Sequence, residues 1–185
     1  MTLMRLFTCV DPSTDIQENL EWLLARLRPT AKLRWSRPDN LHLTLKFIGE
    51  FPSAQLPALK QALEQVPPPP RFDVGVRGLG FFPHAKAPRV FWAGVEAPPA
   101  LTDLAIAIDQ AVEPLGVQRE PRPFTPHLTL ARIQDRTSLE KMQKAIQALP
   151  SLEFGVFAPD RFYLYESRPG QGGSIYSKVA EFPWR

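Results

Sequence analysis

His42-Leu43-Thr44-Leu45 and His127-Leu128-Thr129-Leu130 are the same tetrapeptide, 85 residues apart, and together they use two of the three histidines in the chain. In an extended strand, residues two apart share a face. His42 and Thr44 therefore project together while Leu43 and Leu45 turn to the core, and His127 and Thr129 do the same in the second copy. Read outward from these motifs, the chain shows one order of elements twice. Upstream of the first lies an apolar strand, Leu6 to Val10, then Asp11-Pro12, where Asp can cap a helix and Pro can occupy its first turn. Ile16, Leu20, Leu23, Leu24 and Leu27 then fall on one face of a 3.6-residue helix. Upstream of the second motif, Val90 to Val95 is the strand, Pro98-Pro99 the link, and Leu101, Leu104, Ile108, Val112 and Leu115 the helix face. Phe7 precedes His42 by 35 residues and Phe91 precedes His127 by 36.

The match continues downstream. The central strands, Leu41 to Ile48 and Pro126 to Ile133, lead into helices marked by Leu56, Leu59, Leu63 and Val66 and by Leu139, Met142, Ile146 and Leu149. Thr137-x-x-Glu140 gives the later helix a capping-box pattern. Each half then ends in extended sequence, Phe72 to Val76 and Phe154 to Phe157, and Ser174 to Phe182 follows as an added strand after the turn at Gly170 to Gly173. Strand, helix, strand, helix, strand, twice over, describes an α+β chain of two lobes related by a pseudo-twofold axis, with a cleft between them. The whole of residues 1–185 is then a single bilobal domain, with repeat one over about 3–83, repeat two over about 88–167 and the C-terminal strand over about 174–182.

Composition narrows the function classes. Hydrophobic residues are 44% and charged residues 22%, the usage of a folded globular chain rather than a disordered one. The 21 prolines are scattered, apart from Pro67 to Pro70, and stiffen loops. No apolar run approaches a membrane span, and Met1 to Val10 is too short for a signal peptide, so the expected address is the cytoplasm. Cys9 alone forms no internal disulfide, and one Cys with three His leaves little from which to build a metal site. A net charge of +3 is modest, but 15 of the 22 basic residues are Arg, the better partner for a phosphate.

Two imidazoles facing one point across a cleft, each with a hydroxyl donor beside it, suit acid–base transfer at a phosphodiester. A pKa near 6.5 lets one His accept a proton while the other donates, and Thr44 and Thr129 can donate hydrogen bonds to the non-bridging oxygens. A structural role for one such His, or a metal held by both, are the competing readings. Repetition in identical contexts weakens the first, and hydroxyls are poor ligands for the second.

The chain resembles the two-histidine phosphoesterase superfamily and, within it, the RNA 2′,3′-cyclic phosphodiesterases also called 2′-5′ RNA ligases. The resemblance rests on both His-Leu-Thr-Leu motifs and on the runs Leu41 to Gly49 (LHLTLKFIG), Arg89 to Gly94 (RVFWAG) and Phe124 to Arg132 (FTPHLTLAR), and it covers essentially the full chain. It implies an α+β fold whose two antiparallel sheets line the central cleft, with helices outside. It implies opening of a 2′,3′-cyclic phosphate at an RNA 3′ end by water to leave a 2′-phosphate, without metal or cofactor, and the reverse ATP-independent joining as a 2′-5′ linkage. His42 would be the proton donor and His127 the proton acceptor, although symmetry in the sequence does not choose between them. Arg132 would join Thr44 and Thr129 in holding phosphate, but strict alternation puts Ala131, not Arg132, on the face of His127, so a bulge or strand end is required. The implied partners are RNA 3′ ends with cyclic phosphate, tRNA fragments among them, and the implied state is a monomer away from membranes.

Phe47 occupies the place equivalent to Arg132 and is expected in the core. His84, without a Thr partner, is expected to be exposed or structural. Arg26, Arg28, Lys32, Arg34 and Arg37 before the first motif, and Arg119 and Arg122 before the second, can steer phosphates or merely be solvated. Trp35, Phe81, Phe82 and Trp92 are expected in the core rather than as base-stacking platforms. The competing functions are a binding module for RNA ends and a two-histidine enzyme for another cyclic phosphate.

Overall fold

The computed structural model describes residues 2–96, 98–134 and 136–184. Among them run β1 (Leu3–Val10), α1 (Thr14–Leu27), β2 (Arg34–Trp35), β3 (Leu43–Pro52), α2 (Leu56–Glu64), β4 (Val74–Phe82) and β5 (Val90–Glu96). They continue with α3 (Pro99–Val112), β6 (His127–Arg132), α4 (Glu140–Gln147), β7 (Glu153–Phe157), β8 (Arg161–Gly170) and β9 (Gly173–Pro183). No described helix is long and apolar enough to cross a membrane.

The strands pair antiparallel in the order β7-β4-β5-β6-β3-β1-β8-β9, with β2 attached to β6. Between β3 and β6 only Leu43 and Leu128 are in register, so two four-stranded sheets meet at a narrow seam made by the two motif strands. The order reads symmetrically outward from that seam, as a pseudo-twofold arrangement requires. The chain nevertheless crosses it. β4, from the first sequence half, pairs with β5 of the second, and β8, near the C-terminus, pairs with β1.

The helices cross as well. α1 packs on β7 and α4, and the Asn19 amide donates to the Phe154 carbonyl over 2.7 Å, while α3 packs on β3 and α2. The predicted helix faces are the buried ones: Ile16, Leu20, Leu23, Leu24 and Leu27 on α1, and Leu101, Leu104, Ile108 and Val112 on α3. Leu115 lies beyond α3 in a 3₁₀ turn.

Three local expectations change. Asp11 does not cap α1; its carboxylate accepts from the Tyr165 hydroxyl at 2.9 Å, and Ser13 stands at the N-cap without a side-chain bond. The capping box does not form, because Thr137 donates to the Gln134 carbonyl and α4 opens at Glu140 behind Leu139. β8 has no counterpart among the expected strands. Phe162 and Leu164 point to the core while Tyr163 and Tyr165 occupy its other face, so the apolar–polar alternation that signals a strand is weak.

Lys46, only 5% exposed, is held from β3 by Asp109 of α3 at 2.5 Å and by the Gln118 carbonyl at 2.6 Å. A buried ammonium left unpaired costs far more than an apolar replacement of the pair. Asp109→Ala should therefore lower stability by about 3–5 kcal/mol, whereas Lys46→Met with Asp109→Leu should cost much less, as read from urea unfolding midpoints at constant m.

Candidate active site

Both motif histidines enter the seam in the same way. His42 immediately precedes β3 and His127 opens β6, and in each the Nδ1 bonds the carbonyl two residues back, Asn40 at 2.6 Å and Thr125 at 2.8 Å. A carbonyl only accepts, so Nδ1 carries the proton in both rings. In the neutral form Nε2 is then the free lone pair on each.

One extra residue in each central strand decides what lies beside them. Along β1 and β3, Thr8 faces Lys46 but the next residue, Cys9, faces Thr44, so Leu45 is a bulge. Along β5 and β6, Phe91 faces Ala131 and Trp92 faces Thr129, so Leu130 is the matching bulge. Alternation flips after a bulge. Leu45 and Lys46 both turn inward, as do Leu130 and Ala131, and the next residue of each strand, Phe47 or Arg132, comes out on the face of the histidine and threonine. The bulge that Arg132 required is present. For the same reason Phe47 is not a core residue: it is 61% exposed.

Thr44 and Thr129 are half-buried, and among the described residues neither hydroxyl has a hydrogen-bond partner. Both are available as donors. Arg132 is exposed and close enough for its charge to act on His42. His42, Thr44, His127, Thr129 and Arg132 are thus gathered on one face across the seam.

The two imidazoles differ in surroundings. His42 lies against Phe7 at 4.7 Å between ring centroids and meets Tyr176 of β9 edge-on at 5.1 Å. Burial pushes its pKa down to about 4; the Asn40 carbonyl opposes the shift, and the charges of His127 and Arg132 add to it. His127 meets Phe82 edge-on at 5.0 Å, and Phe82 in turn contacts Trp92. Trp92 lies flat on β4 because position 80 is Gly; a Cβ there would come within 2.2 Å of the indole. The position equivalent to Trp92 in the first half is Cys9. Its thiol is buried and its pKa raised, chiefly by that burial and then by Asp11, so it is not an activated nucleophile. Beside it, burial raises the Asp11 pKa despite the Tyr165 hydrogen bond and Lys178.

Phe7, Asp11, Asn40, Tyr165 and Tyr176 line a small hollow against His42, and none of them is among the site residues expected from the sequence. Phe7 comes from β1, which pairs with β3, whereas Tyr165 and Tyr176 reach the hollow only through the pairing of β1 with β8 and of β8 with β9, which no local pattern encodes. His84 sits in an exposed loop with its Nδ1 accepting from the Ala87 amide. Trp35 packs edge-on to Phe91, and Phe81 also contacts it, as expected of core residues; Phe82 instead borders His127, with Trp92 against Phe82. No group of three or more His, Cys, Asp or Glu among the described residues is placed to hold a metal.

The model of the LigT-like phosphoesterases matches the chain twice, over residues 10–92 and 94–176. An RNA 2′,3′-cyclic phosphodiesterase of Archaeoglobus fulgidus is 31% identical over 179 residues, covering 97% of this chain and 99% of the relative. One of Aquifex aeolicus is 30% identical over 187 residues, covering 98% of both. Among solved structures, that of E. coli LigT complexed with 3′-AMP superposes with a TM-score of 0.79 at 27% identity over 98% of each chain. A Thermus thermophilus protein gives 0.79 at 30% identity over 97% of each. With the duplicated motif, the two matches of one family model and relatives similar from end to end, the chain belongs to the LigT-like, two-histidine phosphoesterase family.

Proposed function

We propose that the chain is an RNA 2′,3′-cyclic phosphodiesterase that opens cyclic phosphate ends to 2′-phosphomonoesters without metal or cofactor. The observation that carries this reading is the pair of imidazoles anchored at Nδ1, with Nε2 of each free on one face beside an unpartnered hydroxyl. Phosphate binding alone needs cations, not two titratable rings, so the arrangement favours an enzyme over a binding module.

In the proposed reaction the cyclic phosphate lies between the rings. Nε2 of His127 takes a proton from water as its oxygen bonds to phosphorus. The bond from phosphorus to O3′ breaks, and Nε2 of His42 gives its proton to that oxygen, leaving a 3′-hydroxyl and a 2′-phosphate. Thr44, Thr129 and Arg132 donate to the non-bridging oxygens. The rings end with their protons exchanged and equilibrate through solvent. With a 5′-hydroxyl in place of water as the nucleophile, the same steps in the same direction join two strands through a 2′-5′ linkage and free the 3′-hydroxyl, because the energy is held in the cyclic ester rather than in ATP. The substrates are RNA 3′ ends, tRNA fragments among them. We place the enzyme in the cytoplasm as a monomer, and take residues 1–185 as one bilobal domain built from the repeats described above.

One observation favours the reversed assignment. In the free protein burial keeps His42 neutral at neutral pH, the state of a base rather than a loaded acid. A donor role then requires the bound phosphate anion to raise its pKa. A cyclic substrate with sulfur at the 3′ position separates the two, since a thiolate departs without protonation. His42→Ala should regain activity on it if His42 is the acid, whereas recovery of His127→Ala would establish the reverse.

Two further outcomes are expected. In EDTA, short RNA ending in cyclic phosphate should yield a 2′-phosphate, with kcat lowered about 10²–10⁴-fold by His42→Ala and by His127→Ala. A 3′-phosphate product would overturn the regiochemistry, and unchanged RNA that stays bound would favour the binding module. With His42 as donor, its protonated fraction in the free protein falls as pH rises through about 4. The corresponding limb of kcat should then lie at higher pH than that of kcat/KM, since only the first reports the phosphate-bound state.

A further inference from the structure

Most of the basic residues flanking the two motifs are already engaged. Arg28 forms a two-pronged pair with Glu21, Arg26 lies over the Trp22 ring, Arg119 pairs with Asp109 and Glu113, and Arg122 pairs with Glu120. Arg34 stands apart. In the pairing of β2 with β6, Arg34 is directly opposite Arg132 and Trp35 opposite Ala131. Trp35 and Ala131 turn to the core, so both arginines project from the other face, the one bearing His127 and Thr129.

The short strand is pinned there by the bulge. The Ser36 amide and hydroxyl donate, at 2.8 Å each, to the carbonyls of Leu130 and Thr129. Like charges directly opposite one another weaken a strand pair. Among the described residues, no carboxylate forms an ion pair with Arg34 or Arg132. What Arg34 has is a neutral partner: with the Gln134 amide in the orientation that satisfies both its ends, the amide oxygen accepts from Nε and Nη2 at 3.2 Å each. The guanidinium is oriented but not neutralised, as an anion site requires.

We propose that Arg34 binds the phosphodiester linking the terminal nucleotide of an RNA strand to the nucleotide before it, one step out from the cyclic phosphate held beside Arg132. This rests on the phosphodiesterase reading above and deepens it: the substrate is an RNA strand of at least two nucleotides rather than a free cyclic nucleotide.

Three probes test it: a nucleoside 2′,3′-cyclic monophosphate, a dinucleotide with a cyclic end, and that dinucleotide with an uncharged methylphosphonate linkage. The native protein should favour the dinucleotide over the mononucleotide by about tenfold in kcat/KM, chiefly through KM. Arg34→Gln should bring that ratio to about one, and so should the methylphosphonate, with no further loss when the two changes are combined. On longer RNA the slope of log kcat/KM against log salt should become shallower by about 0.7 in Arg34→Gln. A native protein without preference for the dinucleotide, a ratio that survives Arg34→Gln, or a methylphosphonate as good as the native linkage would overturn the proposal. If no cyclic end is turned over, the functional reading fails instead. The same comparison made by binding of dinucleotides ending in 2′-phosphate, read by fluorescence anisotropy, then decides for or against Arg34.

Discussion

One added residue in each motif strand is the constraint on which the candidate site depends. A strand that alternates strictly from His42 would present Lys46 beside Thr44, and from His127 it would present Ala131 beside Thr129. With Leu45 and Leu130 bulged, two consecutive residues turn inward in each strand, and Phe47 and Arg132 surface instead. The bulge in β6 also leaves carbonyls for Ser36 to bond, which holds β2 against β6 and fixes Arg34 beside Arg132.

Because the same bulge occurs in both halves, the site is symmetric in backbone and asymmetric in side chains. Equivalent places carry Phe47 and Arg132, Lys46 and Ala131, Cys9 and Trp92. The first half therefore offers an exposed aromatic ring and a hollow beside His42, and spends a buried ion pair to tie β3 to α3. The second offers an exposed guanidinium and sets Phe82 against His127, with the Trp92 indole between Phe82 and Gly80. Two rings anchored alike at Nδ1 thus meet different surroundings, and burial against Phe7 and Tyr176 lowers the pKa of His42.

Crossed topology makes the arrangement rigid. β4 and β8 each pair with a strand from the other sequence half, and α1 and α3 pack across in the same sense, so each motif strand is braced by elements from both ends of the chain. The β8–β9 hairpin reaches back to supply Tyr176 against His42, and Ser174 to the Asn40 amide. The histidine before β3 is therefore sensitive to residues more than 130 positions away.

The α+β class, the two motifs and the buried faces of α1 and α3 were legible in the sequence, because each is a local pattern: identity at a fixed spacing, or a 3.6-residue period that burial enforces. The two expected caps do not form, for different reasons: Asp11 is drawn to a distant partner, Tyr165, while Thr137 bonds the carbonyl of Gln134, three residues back, and α4 opens only at Glu140. Strand β8 escaped notice because aromatic residues on its cleft face hide the alternation. By itself the sequence determined which residue types recur and which helical faces must be buried. Only tertiary structure decided which side of β3 and β6 each later residue faces, and which strands supply the walls around His42. A bulge, and a pairing between strands far apart in the chain, are fixed by contact with a partner strand, and a strand's own alternation does not say which strand that partner is.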